Sequence, residues 1–161
     1  MARIAILTAS DGVAAGTRVD EGGALIEGRC LEEGHEVVAT AALPDDRQGI
    51  ADQLAAWCDA GVADLILTTG GTGLTPRDLT PEATRDIAER DVPGISVAIA
   101  QEGLKHTSFA ILSRGAAVTR GNTLIVNLPG SPKGVADGLT VLLPLVPHIA
   151  ELVAGPVEHD G

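Results

Sequence analysis

Three short aliphatic runs, Arg3–Thr8, Asp64–Thr69 and Thr123–Leu128, each give way to a polar or glycine-bearing segment, and stretches of helical spacing separate them. An apolar run without period-two alternation marks a strand buried on both faces, the usual state of a parallel sheet. The first run is followed by a predicted helix over 20–33, with Leu25 and Leu31 on one face and Gly34 as its stop, and then by a second strand over 35–43. After the break at Pro44-Asp45-Asp46, Ile50, Leu54, Trp57 and Cys58 recur at i, i+4, i+7 and i+8, which predicts an amphipathic helix ended by Gly61. Strands alternating with helices mean an α/β fold with a mostly parallel sheet.

Thr80-Pro81-Glu82 reads as a cap, a first-turn proline and a first-turn acid, opening a helix that runs to the Asp91–Gly94 break. A further helix is expected over 95–105. Phe109–Arg120, the turn Gly121-Asn122 and Thr123–Leu128 predict a hairpin at one sheet edge. Ser131-Pro132 repeats the cap-plus-proline start for a last helical region, interrupted by Pro144 and Pro147 and ending at Gly155, with a frayed tail over 158–161. The 161 residues fit one domain, 1–161.

Composition narrows the partners. Twenty-two acidic against 11 basic residues give a net charge of −11, which repels nucleic acid and anionic membranes. One Trp, one Phe and no Tyr leave no stacking platform for single strands. Cys30 and Cys58 lack metal or redox spacing and read as buried, reduced thiols, and His35, His106, His148 and His159 form no metal-site pattern. The start Met1-Ala2-Arg3, running straight into the first strand, shows no signal peptide, and no apolar stretch reaches the ~20 residues of a membrane span, so a cytoplasmic place is expected.

In an open α/β sheet ligands sit beyond the carboxyl ends of the strands. Four segments follow such ends here: Ser10-Asp11-Gly12, Pro44-Asp45-Asp46, Gly70 to Asp78, and Asn127 to Lys133. Gly70-Gly71-Thr72-Gly73 allows positive φ and close backbone approach, so its amides can face a phosphate; the same sequence also serves as a tight turn without a ligand. Asp45 and Asp78 are carboxylates of the kind that hold Mg²⁺, or else loop and cap residues, with Asp46 the better helix cap. Asn127-Leu128-Pro129-Gly130-Ser131-Pro132-Lys133 offers an amide, a helix N-terminus and an ammonium for a second anion, and Arg114 suits a phosphate contact. There is no GxxxxGK[ST], no GxGxxG after the first strand and no GxSxG elbow.

TTGGTGLTPRDLTPEAT (68–84), AILSR (110–114) and LIVNLPGSPK (124–133), in that order, resemble the molybdenum cofactor biosynthesis family, and the molybdopterin adenylyltransferases within it. The resemblance implies a three-layer α/β/α sandwich, usually a homotrimer, that transfers AMP from Mg·ATP to molybdopterin, releases pyrophosphate and hands the product to a molybdenum-insertase partner. It puts Asp45 and Asp78 at the two catalytic, metal-binding positions and nucleotide phosphates at Gly70, Gly71, Thr72 and Gly73. Ser113, Arg114, Asn127, Pro129, Gly130, Ser131 and Lys133 fall on the pterin side, and Ser10 and Asp11 in the first loop. After Pro93-Gly94, Ile95, Val97 and Ala100 stand where the family commonly has Phe, Glu and Arg. The alternative is a noncatalytic pterin- or nucleotide-binding trimer of the same family.

Overall fold

The computed structural model describes residues 1–155; the expected frayed tail lies outside them. Six strands form one sheet in the order β2-β1-β3-β6-β5-β4. β1 (Arg3–Ala9), β2 (Glu36–Leu43), β3 (Leu65–Thr69) and β6 (Thr123–Leu128) run parallel, while β5 (Ala117–Arg120) and the two-residue β4 (Arg90–Asp91) continue the sheet through antiparallel pairings. β3 and β6 are buried along their whole length, as expected of aliphatic runs covered on both faces.

Alternate residues of each strand feed two cores. Beyond the one-turn α1 (Asp11–Ala14), Ile4, Ile6, Leu65 and Leu67 face α2 (Glu21–Glu32), α5 (Pro93–Leu104), α6 (Pro132–Leu142) and α7 (Val146–Val153). Ala5, Leu7 and Ile66 face α3 (Arg47–Asp59) and α4 (Thr80–Asp86) on the other side. The result is a three-layer α/β/α sandwich with a mostly parallel sheet. The run Pro132–Val153 is long and apolar enough to cross a membrane, yet Val135, Leu139, Leu142 and Val146 pack it into the core, and a 3-10 turn at Leu143–Leu145 breaks it where Pro144 falls.

Several expectations need correcting. α2 buries Gly23, Ile26 and Cys30 rather than Leu31, which is 54% exposed, because the hydrogen-only Gly23 lets the helix sit close on Thr8. Leu79, not Thr80, occupies the cap position of α4, with no side-chain cap, and the helix stops at Asp86 because β4 pairs with the free edge of β5. The segment Ser108–Leu112 is a 3-10 turn capped by Thr107 instead of a strand. Its route is set downstream, where the Arg114 amide bonds to the Thr72 carbonyl and draws the chain off the sheet. The β5–β6 hairpin therefore lies inside the edge formed by β4. Cys30 and Cys58 are buried and unpaired, and burial pushes both thiols up to about 11, so they stay protonated at neutral pH. His35 is buried too, its Nδ1 accepting from the Ala2 amide.

Candidate active site

From β1 the chain moves to one side into β2 and then returns to the other side as β3, so the sheet order reverses between β1 and β3, where α/β sheets open a crevice. Ser10 follows β1 and Gly70 follows β3, and both line a cavity of about 760 Å³ with Asp45, Gly71, Asp78, Gly130 and Ser131. Gly70 and Gly71 have φ of 88° and 68°. A Cβ on Gly70 would sit 2.2 Å from the Ala9 carbonyl oxygen, so only glycine lets the loop close on β1. The amides of Gly71, Thr72 and Gly73 meet no acceptor among the described residues, which leaves a row of donors available to an anion.

The carboxylates are positioned by local hydrogen bonds. Asp45 Oδ2 accepts from the Asp11 amide at 3.1 Å, and Asp78 Oδ2 accepts from the Thr75 amide and hydroxyl at 3.0 and 2.9 Å. Each is thus anchored by one oxygen and keeps the other without a protein donor. Burial pushes the Asp45 carboxyl above its ordinary value, and the charges of Asp11 and Asp78 push the same way against the Asp11 amide and Arg77. Asp20 and Glu21 also line the cavity, with Arg18 as its one cation among the described residues. A polyphosphate there needs a cation. No three ligating side chains converge among the described residues, but two carboxylates suit Mg²⁺, which keeps several waters and completes its shell from phosphates.

Beside the glycine loop lies a second depression of about 410 Å³, lined by Thr72, Gly73, Phe109 and Ser113 as well as Asp78, Gly130 and Ser131. A third, apolar cavity of about 340 Å³ adjoins it and is lined by Ser113, Asn127, Pro129, Ser131 and Lys133 together with α5. Ser131 lines all three and also caps α6, its Oγ accepting from the Gly134 amide at 3.1 Å. The depressions therefore form one track from the glycine loop to α5.

Arg114 and Asp11 line none of these cavities. The Arg114 guanidinium donates to the Gly73 carbonyl, the Asp78 carbonyl and Glu82, so it buttresses the loop from behind. Asp11 pairs with Arg77 at 2.8 Å, and that hydrogen bond holds its carboxyl below the usual range. Asn127 donates to Thr68 and Thr84 and accepts from the Ala116 amide, which ties β6 to its neighbours beneath the apolar cavity. Sequence reasoning passed over Arg18, which sits in the loop between the one-turn helix Asp11–Ala14 and α2, and Asp137, which looks like any solvated helix acid. No spacing marks either one.

Residues 5–148 match the family model described as a probable molybdopterin binding domain. The chain belongs to this molybdenum cofactor biosynthesis family. The molybdopterin biosynthesis enzyme MoaB of Thermus thermophilus superposes with a TM-score of 0.90 at 47% identity, over 97% of this chain and 98% of that one. A molybdopterin adenylyltransferase of Helicobacter pylori is 37% identical over 94% of this chain and 88% of its own. The molybdenum cofactor synthesis protein cinnamon of Drosophila melanogaster is 45% identical over 72% of this chain, a match covering 19% of that longer protein.

Proposed function

We propose that this family member is a molybdopterin adenylyltransferase. The observation that carries the reading is the pair Asp45 and Asp78 lining one cavity with Gly70 and Gly71, each with an oxygen left without a protein donor. An oxygen of the terminal molybdopterin phosphate attacks the α-phosphorus of ATP, a new P–O–P linkage forms, and the bond to the β-phosphate breaks to release pyrophosphate. Both reactants are anionic, so the residues must offset charge and align the groups. Asp45 and Asp78 would hold Mg²⁺, which screens the phosphates when bound. The amides of Gly71, Thr72 and Gly73 orient the nucleotide phosphates, and Arg18 adds a cation to the same cavity lining. Ser113, Ser131 and Lys133 take the pterin side, while Asn127 and Arg114 act as positioning residues. No general base is needed, because the attacking phosphate is already ionised.

Purified protein incubated with molybdopterin and Mg·ATP should yield adenylylated pterin and one pyrophosphate per turnover. Binding without turnover would favour the carrier reading, to which one observation points: Ala100 lines the apolar cavity where the family commonly has Arg. Val97→Glu with Ala100→Arg separates the readings. An enzyme should change its KM for molybdopterin more than its kcat, whereas activity arising from none marks a chain that has lost the reaction.

The assembly proposed is a homotrimer. Val97, Leu104, Phe109, Ile111 and Leu112 are 47–75% exposed on α5 and the adjoining 3-10 turn, an apolar surface of the kind that subunit contacts cover. Light scattering at micromolar concentration should report three chains. The cytoplasm and a molybdenum-insertase partner complete the proposal, the latter supported by the match to one part of a longer cofactor-synthesis protein.

A further inference from the structure

The apolar cavity beside α5 contains one feature that phosphate chemistry does not use. Its walls are carbon-rich, with Ile99, Ala100, Gly103, Phe109 and Ala110 among them, and its volume of about 340 Å³ fits a small-molecule site. Into this lining α6 brings Asp137, one turn beyond Lys133, with a side chain only 13% exposed. No hydrogen-bond donor reaches its carboxylate among the described residues. Its one ionic neighbour is His106 Nε2 at 3.4 Å, beyond ordinary hydrogen-bond length for a charged pair. A poorly solvated carboxylate without donors lowers stability, so an apolar wall that keeps one has a use for its two acceptor oxygens.

We propose that Asp137 is a specificity-determining residue that recognises the amino-pyrimidinone edge of the pterin. This rests on the reading of the track as a molybdopterin site. That edge presents a ring N–H and an exocyclic amino group side by side, a guanidine-like pair matching the two oxygens of a carboxylate as an arginine fork does. The carbon-rich walls accept the flat faces of the bicycle. Ser113, Pro129 and Ser131 line both this cavity and the depression beside the glycine loop, so a ligand anchored at Asp137 can extend its phosphate toward Gly71 and Thr72.

The test uses 6-hydroxymethylpterin and the matching lumazine, in which a carbonyl replaces the 2-amino group, each followed by its own fluorescence on titration with the whole protein. The native protein should prefer the pterin by about tenfold or more, since a site that pairs with a donor rejects the analogue lacking it. Asp137→Asn, with unchanged circular dichroism and unchanged ATP affinity, should weaken pterin binding about tenfold and bring the two ligands within about twofold of each other. Asp137→Glu should retain part of the preference. The proposal fails if the native protein binds neither ligand, if it does not discriminate, if Asp137→Asn keeps the preference, or if that variant loses ATP affinity together with pterin affinity. Failure of AMP transfer alongside intact pterin discrimination would overturn the adenylyltransferase reading and leave Asp137 in place.

Discussion

Asp11 and Asp45 hold each other through their own backbones: the Asp45 amide donates to the Asp11 carboxylate at 3.0 Å, and the Asp11 amide returns a bond to the Asp45 carboxylate at 3.1 Å. Two negative side chains can lie together because each accepts a peptide N–H from the other residue and because Arg77 forks onto Asp11. The loops after β1 and β2 and the turn beyond the glycine loop are thereby tied at one corner. Asp45 is aimed before any ligand arrives.

Asp11 is therefore a positioning residue outside the cavity. Asp11→Ala should lower AMP-transfer turnover about tenfold, roughly 1.4 kcal/mol of barrier. Asp11→Asn, which still accepts from the Asp45 amide, should lie close to the native rate. Equal losses in both variants would show that charge rather than alignment matters.

Asp78 has the opposite character, since it lines the cavity itself. Asp78→Asn keeps an acceptor for Thr75 and should fold normally, while turnover falls about a hundredfold or more, roughly 2.7 kcal/mol. Molybdopterin binding should persist. Asp46→Asn is the control: Asp46 accepts from the Gly49 amide as the cap of α3, asparagine caps equally well, and the rate should not change. Native-like turnover by Asp78→Asn would remove Asp78 from the reaction.

Gly70→Ala sets a methyl group against the Ala9 carbonyl oxygen and forces an L-residue to φ 88°. The left-handed backbone alone costs about 1–2 kcal/mol, and the clash adds to it. A fall in Tm of about 4–8 °C is expected for a chain of this size. A Tm within a degree of native would mean that the loop can move off β1.

The ion pair behind the loop has a pH signature. The hydrogen bond from Arg114 holds the Glu82 carboxyl below its ordinary value of 4.5. A carboxylate with a depressed folded-state pKa stabilises the fold fully above its unfolded value, and the contribution disappears as pH falls through the folded one. Glu82→Gln should lower stability by about 1 kcal/mol at neutral pH. The gap between variant and native melting curves should begin to close below pH 4.5 and vanish once native Glu82 is protonated. A gap independent of pH would show that the pair contributes shape rather than charge.

The four parallel strands and their order along the chain were legible because burial on both faces leaves an aliphatic run, as in Leu65–Thr69 and Thr123–Leu128, whereas the exposed two-residue β4 carries no such run and was missed. Caps at Asp46 and Ser131 were legible for a similar reason, since a side-chain acceptor three residues before an amide acts locally. Thr80 misled because its hydroxyl lies buried against the glycine loop, where a Cβ on Gly71 would touch it at 2.3 Å, and the cap position passed to Leu79. Phe109 and Ile111 misled because an apolar pair beside a strand resembles its continuation, although both face outward on a 3-10 turn.

Local patterns thus determined which residues could form strands, helices and an amide-rich loop, because hydrogen bonding and burial period are written within a few neighbouring positions. The placement of Asp45 near Asp78, Arg114 behind the glycine loop rather than before a ligand, and Asp137 in an apolar wall was decided by the sheet order. Asp45 lies 33 positions from Asp78, Arg114 lies 41 from Gly73 and Asp137 lies 31 from His106, and only the reversal between β1 and β3, with the α5–α6 packing, brings them together. No spacing rule spans such distances, since the contacts depend on how whole elements pack and not on the residues between them.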